Sequence, residues 1–536
     1  MEFVHNSSQS LIGRRQAWKS LKTGFDSQTA EFIAVYGRRR VGKTFLLQKF
    51  VESEVEKNTC VVFFLNGNLR ETASNQLSRF YYEICQIFNH QMEFSTKPKN
   101  WLQVFDLLDQ QIQAYTKKHR HKKVVIVFDE LQWLEKPHSN FLVSLANIWN
   151  KKWFITTNIK LIICGSSASF LKKRILYTKG EFHRRVTRHI RLQPFSLQET
   201  QHFLKTRGFE YYSMAEIVEL YMCLGGIPYY LNILEKRLSV HQNIHQIFFG
   251  PHAILVNELE ALFNTLSSGS SHSFKIMTAL NSKPYGISNK TLGKKLKLHK
   301  SLLSQRLKEL ELSGFIYAFK NLNDFRETNY RIIDPFIRFA LRWIPSQNSL
   351  NSFFWSQVAL TDNFRKWLGY EFELLCWLHT PSIQQALQIH IPFYCFQWNY
   401  KPKIKSKNNE RASRTLGGLA QANSESPRGA QVDLVFARHD GLIQLFEIKY
   451  YAQPFLIDKN YSFDLQHKIK VFEQQALKQV KTKVFKKDMY GLSKPKCYTV
   501  CLCMIASNGL KQNRYSQLVQ SSLSLPDLFV SDQIAS

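Results

Sequence analysis

Residues 37–44 read Gly37-Arg38-Arg39-Arg40-Val41-Gly42-Lys43-Thr44. This is the phosphate-cradling spacing G-x-x-x-x-G-K-[ST] of a P-loop. Gly37 and Gly42 let the backbone turn tightly and bring its N–H groups onto phosphate oxygens, and a helix starting there adds its positive end. Lys43 would reach the β- and γ-phosphates of ATP, and Thr44 would offer its hydroxyl to Mg²⁺. The loop needs a strand before it and a helix after it. Apolar Phe32–Tyr36 and the helical periodicity from Phe45 onward supply both. The three arginines inside the loop are unusual in bulk and charge. They are either solvated or available to read phosphate or nucleic acid.

A second nucleotide signal is Val124-Val-Ile-Val-Phe-Asp129-Glu130, an apolar strand ending in two carboxylates. Asp129 would hold the Mg²⁺ shell and Glu130 would orient or deprotonate the attacking water. Both signals must converge at the carboxyl edge of one parallel sheet. Lys160-Leu-Ile-Ile-Cys-Gly-Ser166-Ser167 is a further buried strand, expected between the first two. Ser166 or Ser167 stands where a γ-phosphate sensor would sit. Arg184 or Arg185 is a candidate arginine finger toward a neighbouring subunit, which would imply a homo-oligomer.

Nearer the carboxyl end, Ala430-Gln-Val-Asp433-Leu-Val-Phe and Leu442-Ile-Gln-Leu-Phe-Glu447-Ile-Lys449 flank a His-Asp-Gly turn, which predicts a β-hairpin. Glu447 and Lys449 are two apart and share a strand face. Burying Asp, Glu and Lys together is poor packing. Two carboxylates holding Mg²⁺ beside a lysine that positions water would be phosphodiester chemistry. Gly369-Tyr-Glu371-Phe-Glu373 lies on an amphipathic helix upstream.

With 536 residues the chain is too long for one core. Lys plus Arg number 72 against 41 acidic residues, a formal charge of +31. That excess points to a polyanionic partner, nucleic acid above all. The nine cysteines form no CxxC pair, and several lie in apolar runs, as free thiols of a reducing cytoplasm would. No apolar stretch is long enough to span a membrane, so a cytoplasmic location without membrane contact is expected.

The pattern predicts an ATPase core over 1–195, a helical lid over 196–267, and three short helices with a hairpin over 268–345. A mixed α/β domain follows over 346–536, with a flexible polar insertion at 401–430. Ser196-Leu-Gln-Glu199 is a capping-box start. The third short helix, His299–Leu310, would enter a major groove with Lys300, Ser304, Gln305, Arg306 and Lys308. Alternatively, the unit serves only as a packing module.

Taken together, Ile12-Gly13-Arg14, GRRRVGKT, VVIVFDE, CGSS and Gly225-Gly-Ile-Pro-Tyr-Tyr-Leu231 resemble the archaeal-type AAA+ ATPases, close to the STAND NTPases. In such proteins the GGxP turn belongs to the lid near the nucleotide. The chain departs at 177–185, where a Tyr-Gly-Arg element is stretched. The 268–345 unit resembles a winged helix-turn-helix. D-x13-E-x-K resembles the PD-(D/E)XK nucleases, and residues 330–536 resemble the DUF234-type domain attached to these ATPases. The resemblance implies Glu373 as a helix carboxylate, Asp433 and Glu447 as metal ligands, and Lys449 as the catalytic lysine. Gln475 or Gln479 would be an accessory polar group. The fold class implied is multidomain α/β: a P-loop parallel-sheet ATPase with lid, winged helix and restriction-endonuclease-like domain. The function implied is an ATP-hydrolysing protein acting on DNA with a Mg²⁺-dependent nuclease. A regulatory switch with an inactive nuclease-fold module is the alternative.

Overall fold

The computed structural model describes residues 11–88, 97–166, 168–176, 182, 184–264, 270–322, 324–344, 354–402, 428–485 and 494–530. Ser167, most of the stretched 177–185 segment and residues 403–427 of the polar insertion lie outside them.

Five parallel strands open the chain: β1 (Glu31–Gly37), β2 (Cys60–Asn66), β3 (Lys123–Asp129), β4 (Ile159–Gly165) and β5 (Arg188–Leu192). Their spatial order is β2-β3-β4-β1-β5, so β4 lies between the P-loop strand and the carboxylate strand. β1 and β4 are buried throughout, and β3 is buried from Val124 onward. A sheet covered on both faces needs such continuous apolar runs. One face packs an aromatic core around Phe80, Phe105, Phe128 and Trp149; the other packs Phe50, Val125 and Cys164.

Helices follow from Leu197 to Asn264, three of them opened by capping boxes at Ser196, Ser213 and Ser239. Then come three helices, Ser270–Asn281, Asn289–Leu296 and Lys300–Leu312. They pack with an antiparallel sheet ordered β6-β8-β7, in which β6 is Ile287–Ser288, β7 is Ile316–Asn321 and β8 is Asp324–Ile332. The last sheet is mixed, ordered β13-β12-β11-β10-β9. Its strands are β9 (Phe393–Tyr400), β10 (Ala430–Arg438), β11 (Leu442–Lys449), β12 (Thr499–Ala506) and β13 (Val519–Leu523). β9, β10 and β11 are antiparallel neighbours, and β12 and β13 continue in parallel. Among the described residues no helix is long and apolar enough to cross a membrane.

The expected partition into independent units differs from the packing. One apolar core runs from Phe195 through the lid, the three-helix unit and one face of the last sheet to Phe529. Helix Pro335–Trp343 packs on lid helix Met214–Leu224 as well as on Ser270–Asn281 of the third unit. The reason is its breadth of apolar side chains: Phe336, Ile337, Phe339, Ala340 and Trp343 are all buried.

That helix is also pinned by charge. Arg338 donates through Nε to both oxygens of Glu371, at 2.8 and 2.6 Å, and both residues are buried. Glu371 and Glu373 are about 200° apart on helix Asp362–Leu378, so only one can face Arg338. Removing one partner of a buried pair strands the other charge. Glu371→Ala is therefore expected to cost about 3–5 kcal/mol, read as a drop in the urea midpoint.

Candidate functional site

The P-loop turns through two left-handed positions, Arg40 at φ 67° and Gly42 at φ 91°, before helix Lys43–Glu56 begins. A side chain at Gly37 would meet the Leu192 carbonyl of β5 at 2.3 Å, so glycine is required by the neighbouring strand. Val41 is fully buried and anchors the loop. Lys43 Nζ donates to the carbonyls of Gly37 (3.2 Å) and Arg38 (3.1 Å). Thr44 Oγ1 donates to Asp129 Oδ2 at 2.6 Å across the sheet edge, as the parallel topology requires. These hard oxygen donors suit Mg²⁺, which when bound would neutralise phosphate charge.

Glu130 stands at φ 47°, just past the strand end. Its Oε2 accepts from the Ser166 hydroxyl at 2.8 Å and from the Gln132 amide. Ser166 thus touches the carboxylate expected to handle water, joined by Gln132, which sequence reasoning passed over. Burial beside Asp129 pushes the Cys164 thiol well above its ordinary range, so it stays protonated in the sheet.

Each of the three P-loop arginines has a partner within the protein. Arg38 is buried and ion-paired with Asp334, and its Nη1 reaches the Tyr230 hydroxyl at 3.3 Å. Arg39 Nη1 donates to the Ala261 carbonyl at 3.3 Å. Arg40 Nη2 pairs with buried Glu258 at 2.9 Å and stacks 4.0 Å from the centre of the Tyr229 ring. The side-chain charges of Arg38 and Arg40 are thus paired within the protein, with Asp334 and Glu258. Their backbone remains in the loop. Asp334 and Glu258 were missed because they lie hundreds of residues away in sequence, although Asp334-Pro335 carried the mark of a helix start.

Above the loop lies a cleft of about 1090 Å³, lined by Gly13, Arg14, Gly37, Gly226, Asp334 and His379 among others. Arg14 Nη2 donates to the Val41 carbonyl at 2.9 Å, and its backbone N–H to Glu199 Oε1 at 3.1 Å. The Ile-Gly-Arg segment, the P-loop and the lid are therefore tied at one point. The Gly-Gly turn belongs to the same joint: a side chain on Gly226 would sit 2.0 Å from the Phe195 carbonyl.

The finger candidates stand elsewhere. Both precede β5, whose Arg188 aligns with Ile33 near the start of β1, the edge opposite the P-loop. Arg185 lies over the Phe154 ring of its own chain at 5.2 Å, and Arg184 is exposed.

At the last sheet the hairpin forms as expected, with Asp433 on β10 and Glu447 and Lys449 on β11. Asp433 Oδ2 accepts the Ile448 N–H at 3.0 Å. Burial, then the charge of Asp433, pushes the Glu373 carboxyl up; burial, then Glu447, does the same to Asp433. Helix Asp362–Leu378 packs on β11, which brings Glu373 beside the hairpin. Tyr285, from the turn before β6, hydrogen-bonds Glu373 and Gln431.

Glu447 is differently served. Its Oε1 accepts from Tyr461 Oη (2.7 Å) and pairs with Lys449 Nζ (2.9 Å), while Oε2 pairs with Lys468 Nζ at 2.7 Å. Burial opposes ionisation there, but the two lysines outweigh it and hold the carboxyl low. The expected metal-ligand role of Glu447 is thus not what its contacts show: both oxygens are filled by cations and a phenol. Among the described residues no three acidic, histidine or cysteine side chains form a cation cage. Tyr461 and Lys468 recur seven apart on helix Lys459–Gln475, a helical-face signal present in the sequence. Gln479 donates through Nε2 to the Gln475 backbone carbonyl at 3.1 Å and accepts from Lys483 at 2.9 Å.

Helix Lys300–Leu312 exposes Lys300, Ser304, Gln305 and Lys308. Arg306 does not face outward. It is buried and pairs with Glu309 at 2.6 Å, which also takes Lys173 of the first domain at 2.9 Å.

Residues 11–234 match the family described as an ATPase domain predominantly from Archaea. The P-loop stretch is thus similar to that family of ATPase domains. The chain also aligns with an uncharacterized protein of Methanocaldococcus jannaschii, 26% identical over 373 residues, covering 68% of this chain and 75% of that one. An uncharacterized ATP-binding protein of the same organism is 36% identical over 51 residues, 10% of this chain and 86% of that protein. Among solved structures, the Walker-type ATPase of Pyrococcus abyssi gives a TM-score of 0.45 at 19% identity, covering 62% of this chain and 96% of that one. The ORC2 protein of Aeropyrum pernix, in ADPNP–ADP complexes, gives 0.43 at 13% identity, covering 65% and 96%.

His379 lines the cleft with its Nδ1 against the Leu375 carbonyl at 2.9 Å, and burial lowers its pKa from 6.5 to about 4. Between those values the unfolded chain binds the extra proton, so stability falls as pH falls. The loss across that window should reach about 3 kcal/mol. Urea midpoints from pH 7 to 4 should drop less steeply in His379→Asn than in the parent protein.

Proposed function

We propose that the chain binds and hydrolyses ATP with Mg²⁺ and acts on DNA through its C-terminal half. The observation that carries the nucleotide reading is the meeting of Lys43, Thr44 and Asp129 at one sheet edge, with the Thr44 hydroxyl 2.6 Å from the Asp129 carboxylate. Lys43, resting on two loop carbonyls, is a mobile cation that exchanges those oxygens for phosphate oxygens. Thr44 and Asp129 supply the oxygens for Mg²⁺, and Glu130, held by Ser166 and Gln132, takes the proton of the attacking water. The adenosine portion occupies the cleft between Arg14 and Gly226.

The DNA reading rests on the formal charge of +31 and on the three-helix, three-strand unit. Its order of helix, short strand, two helices and hairpin is that of a winged helix. With Arg306 turned inward, Lys300, Ser304, Gln305 and Lys308 remain for DNA phosphates and base edges. The nuclease reading rests on Glu373, Asp433, Glu447 and Lys449 meeting at the β10–β11 hairpin of a mixed sheet.

A second reading is favoured by one observation. Glu447 is saturated by Lys449, Lys468 and Tyr461, as in a module kept for binding rather than cleavage. The chain would then be an ATP-dependent regulatory switch.

Two measurements separate these. Lys43→Ala is expected to abolish Mg-ATP turnover and to weaken ATP binding more than about a hundredfold, read by phosphate release and calorimetry. Unchanged turnover in that variant would sink the ATPase reading. Supercoiled and branched DNA incubated with Mg²⁺ or Mn²⁺, with and without ATP, tests the rest. Cutting lost in Lys449→Ala establishes the nuclease. ATPase activity without cutting under any condition assigns the switch.

A further inference from the structure

The P-loop and the carboxylate cluster of the last sheet belong to opposite ends of the chain, yet a path of two buried ion pairs, hydrogen bonds and two helices joins them. Lys43 Nζ holds the carbonyl of Arg38 at 3.1 Å. The Arg38 side chain, buried among Tyr230, Phe315 and Phe336, is paired with Asp334. Asp334 is the N-cap of helix Pro335–Trp343, with Oδ1 accepting the Ile337 N–H at 3.0 Å. One turn on, Arg338 grips Glu371 with contacts of 2.5 to 2.8 Å. Glu371 belongs to helix Asp362–Leu378, which also carries Glu373 to the hairpin of Asp433 and Glu447.

Each link resists being stretched. A buried guanidinium cannot part from its carboxylate without stranding a charge in an apolar surrounding. Arg38 therefore cannot shift unless Asp334 shifts with it, and a helix moves as a rigid body. A second branch, from Arg40 to Glu258, runs to lid helix Glu258–Asn264. Tyr230 closes the two branches by donating to Glu258 Oε1 at 2.9 Å while meeting Arg38.

We propose that Arg38 and Arg40 are positioning residues of the nucleotide site, and that the Arg38–Asp334–Arg338–Glu371 path transmits phosphate occupancy to the carboxylate cluster of the C-terminal sheet. The inference rests on the ATP reading. When phosphate draws Lys43 away from the carbonyls of Gly37 and Arg38, the residue released is the one whose side chain holds Asp334. Helix Pro335–Trp343 then follows, and Glu371 carries the displacement to the element bearing Glu373. In the other direction, loss of Asp334 frees the loop and lowers affinity for the nucleotide, because coupling between two sites is reciprocal.

The test is amide hydrogen exchange of the full chain with and without saturating ADPNP and Mg²⁺, beside calorimetric affinities. In the parent protein, ADPNP is expected to change exchange in both Pro335–Trp343 and Asp362–Leu378. Asp334→Asn keeps an N-cap acceptor for Ile337 but removes the charge facing Arg38. It should bind ADPNP about tenfold more weakly, and at saturation the response of Asp362–Leu378 should vanish. Glu258→Gln keeps the acceptor for Tyr230 and removes only the partner charge of Arg40. It should weaken binding while leaving that response intact. If Asp334→Asn fails to fold, Arg38→Lys asks the same question, since lysine keeps the charge without the guanidinium fork. A response in Asp334→Asn equal to that of the parent overturns the proposal. So does ADPNP binding in the parent with no change in either helix. Failure of the parent to bind ADPNP at all overturns the ATP reading itself and is recognised separately by calorimetry.

Discussion

The buried pair of Arg38 with Asp334 is the constraint on which the arrangement of the two halves depends. Arg38 follows directly on the last residue of β1, so its charge enters the apolar junction wherever the sheet places it. Without a carboxylate there, a guanidinium would face Tyr230, Phe315 and Phe336 alone. Asp334 meets it while capping a helix, and one side chain thus satisfies both a buried cation and an orphan backbone donor. Helix Pro335–Trp343 is held in charge at its start, in apolar packing along its length and by Arg338 on Glu371. The lid, the three-helix unit and the last sheet then close around it as one core.

This changes the meaning of the arginine-rich P-loop. The loop still does what its glycines, lysine and threonine dictate. Its bulky residues serve a different purpose, joining the phosphate cradle to helices Glu258–Asn264 and Pro335–Trp343. A nucleotide site wired this way is placed to act on the rest of the chain, whichever chemistry the C-terminal sheet performs. The state of Glu447, with two lysines and a tyrosine on its oxygens, fits a centre whose charges are balanced as it stands.

Much of the site was legible in the sequence because its parts are local. Strand, loop and helix are contiguous in the P-loop, so Gly37, Gly42, Lys43 and Thr44 declare themselves by spacing alone. Asp129 and Glu130 do so at the end of an apolar run, and parallel topology then brings Asp129 to Thr44. The β10–β11 hairpin was legible for the same reason: its two strands alternate around a short turn. Less was legible where function depends on a distant partner. Nothing near Arg38 in sequence says which way it points. Arg306 turns inward because Glu309, three residues on, shares its helix face while also taking Lys173 from the first domain.

The sequence by itself determined the P-loop, the strand-end carboxylate Asp129, the order of strands and helices along the chain, and the placing of Asp433 with Glu447 and Lys449 on one hairpin. Period, turn chemistry and motif spacing act over a few residues, and a few residues suffice to specify them. Only the tertiary structure decided which carboxylate answers each arginine, that Glu371 serves Arg338 while Glu373 turns to the hairpin, and that Lys468 and Tyr461 occupy Glu447. Those choices follow from burial. Once the core excludes water, each charge must find a partner within hydrogen-bond reach, and the chain folding back over hundreds of residues sets which partner that is.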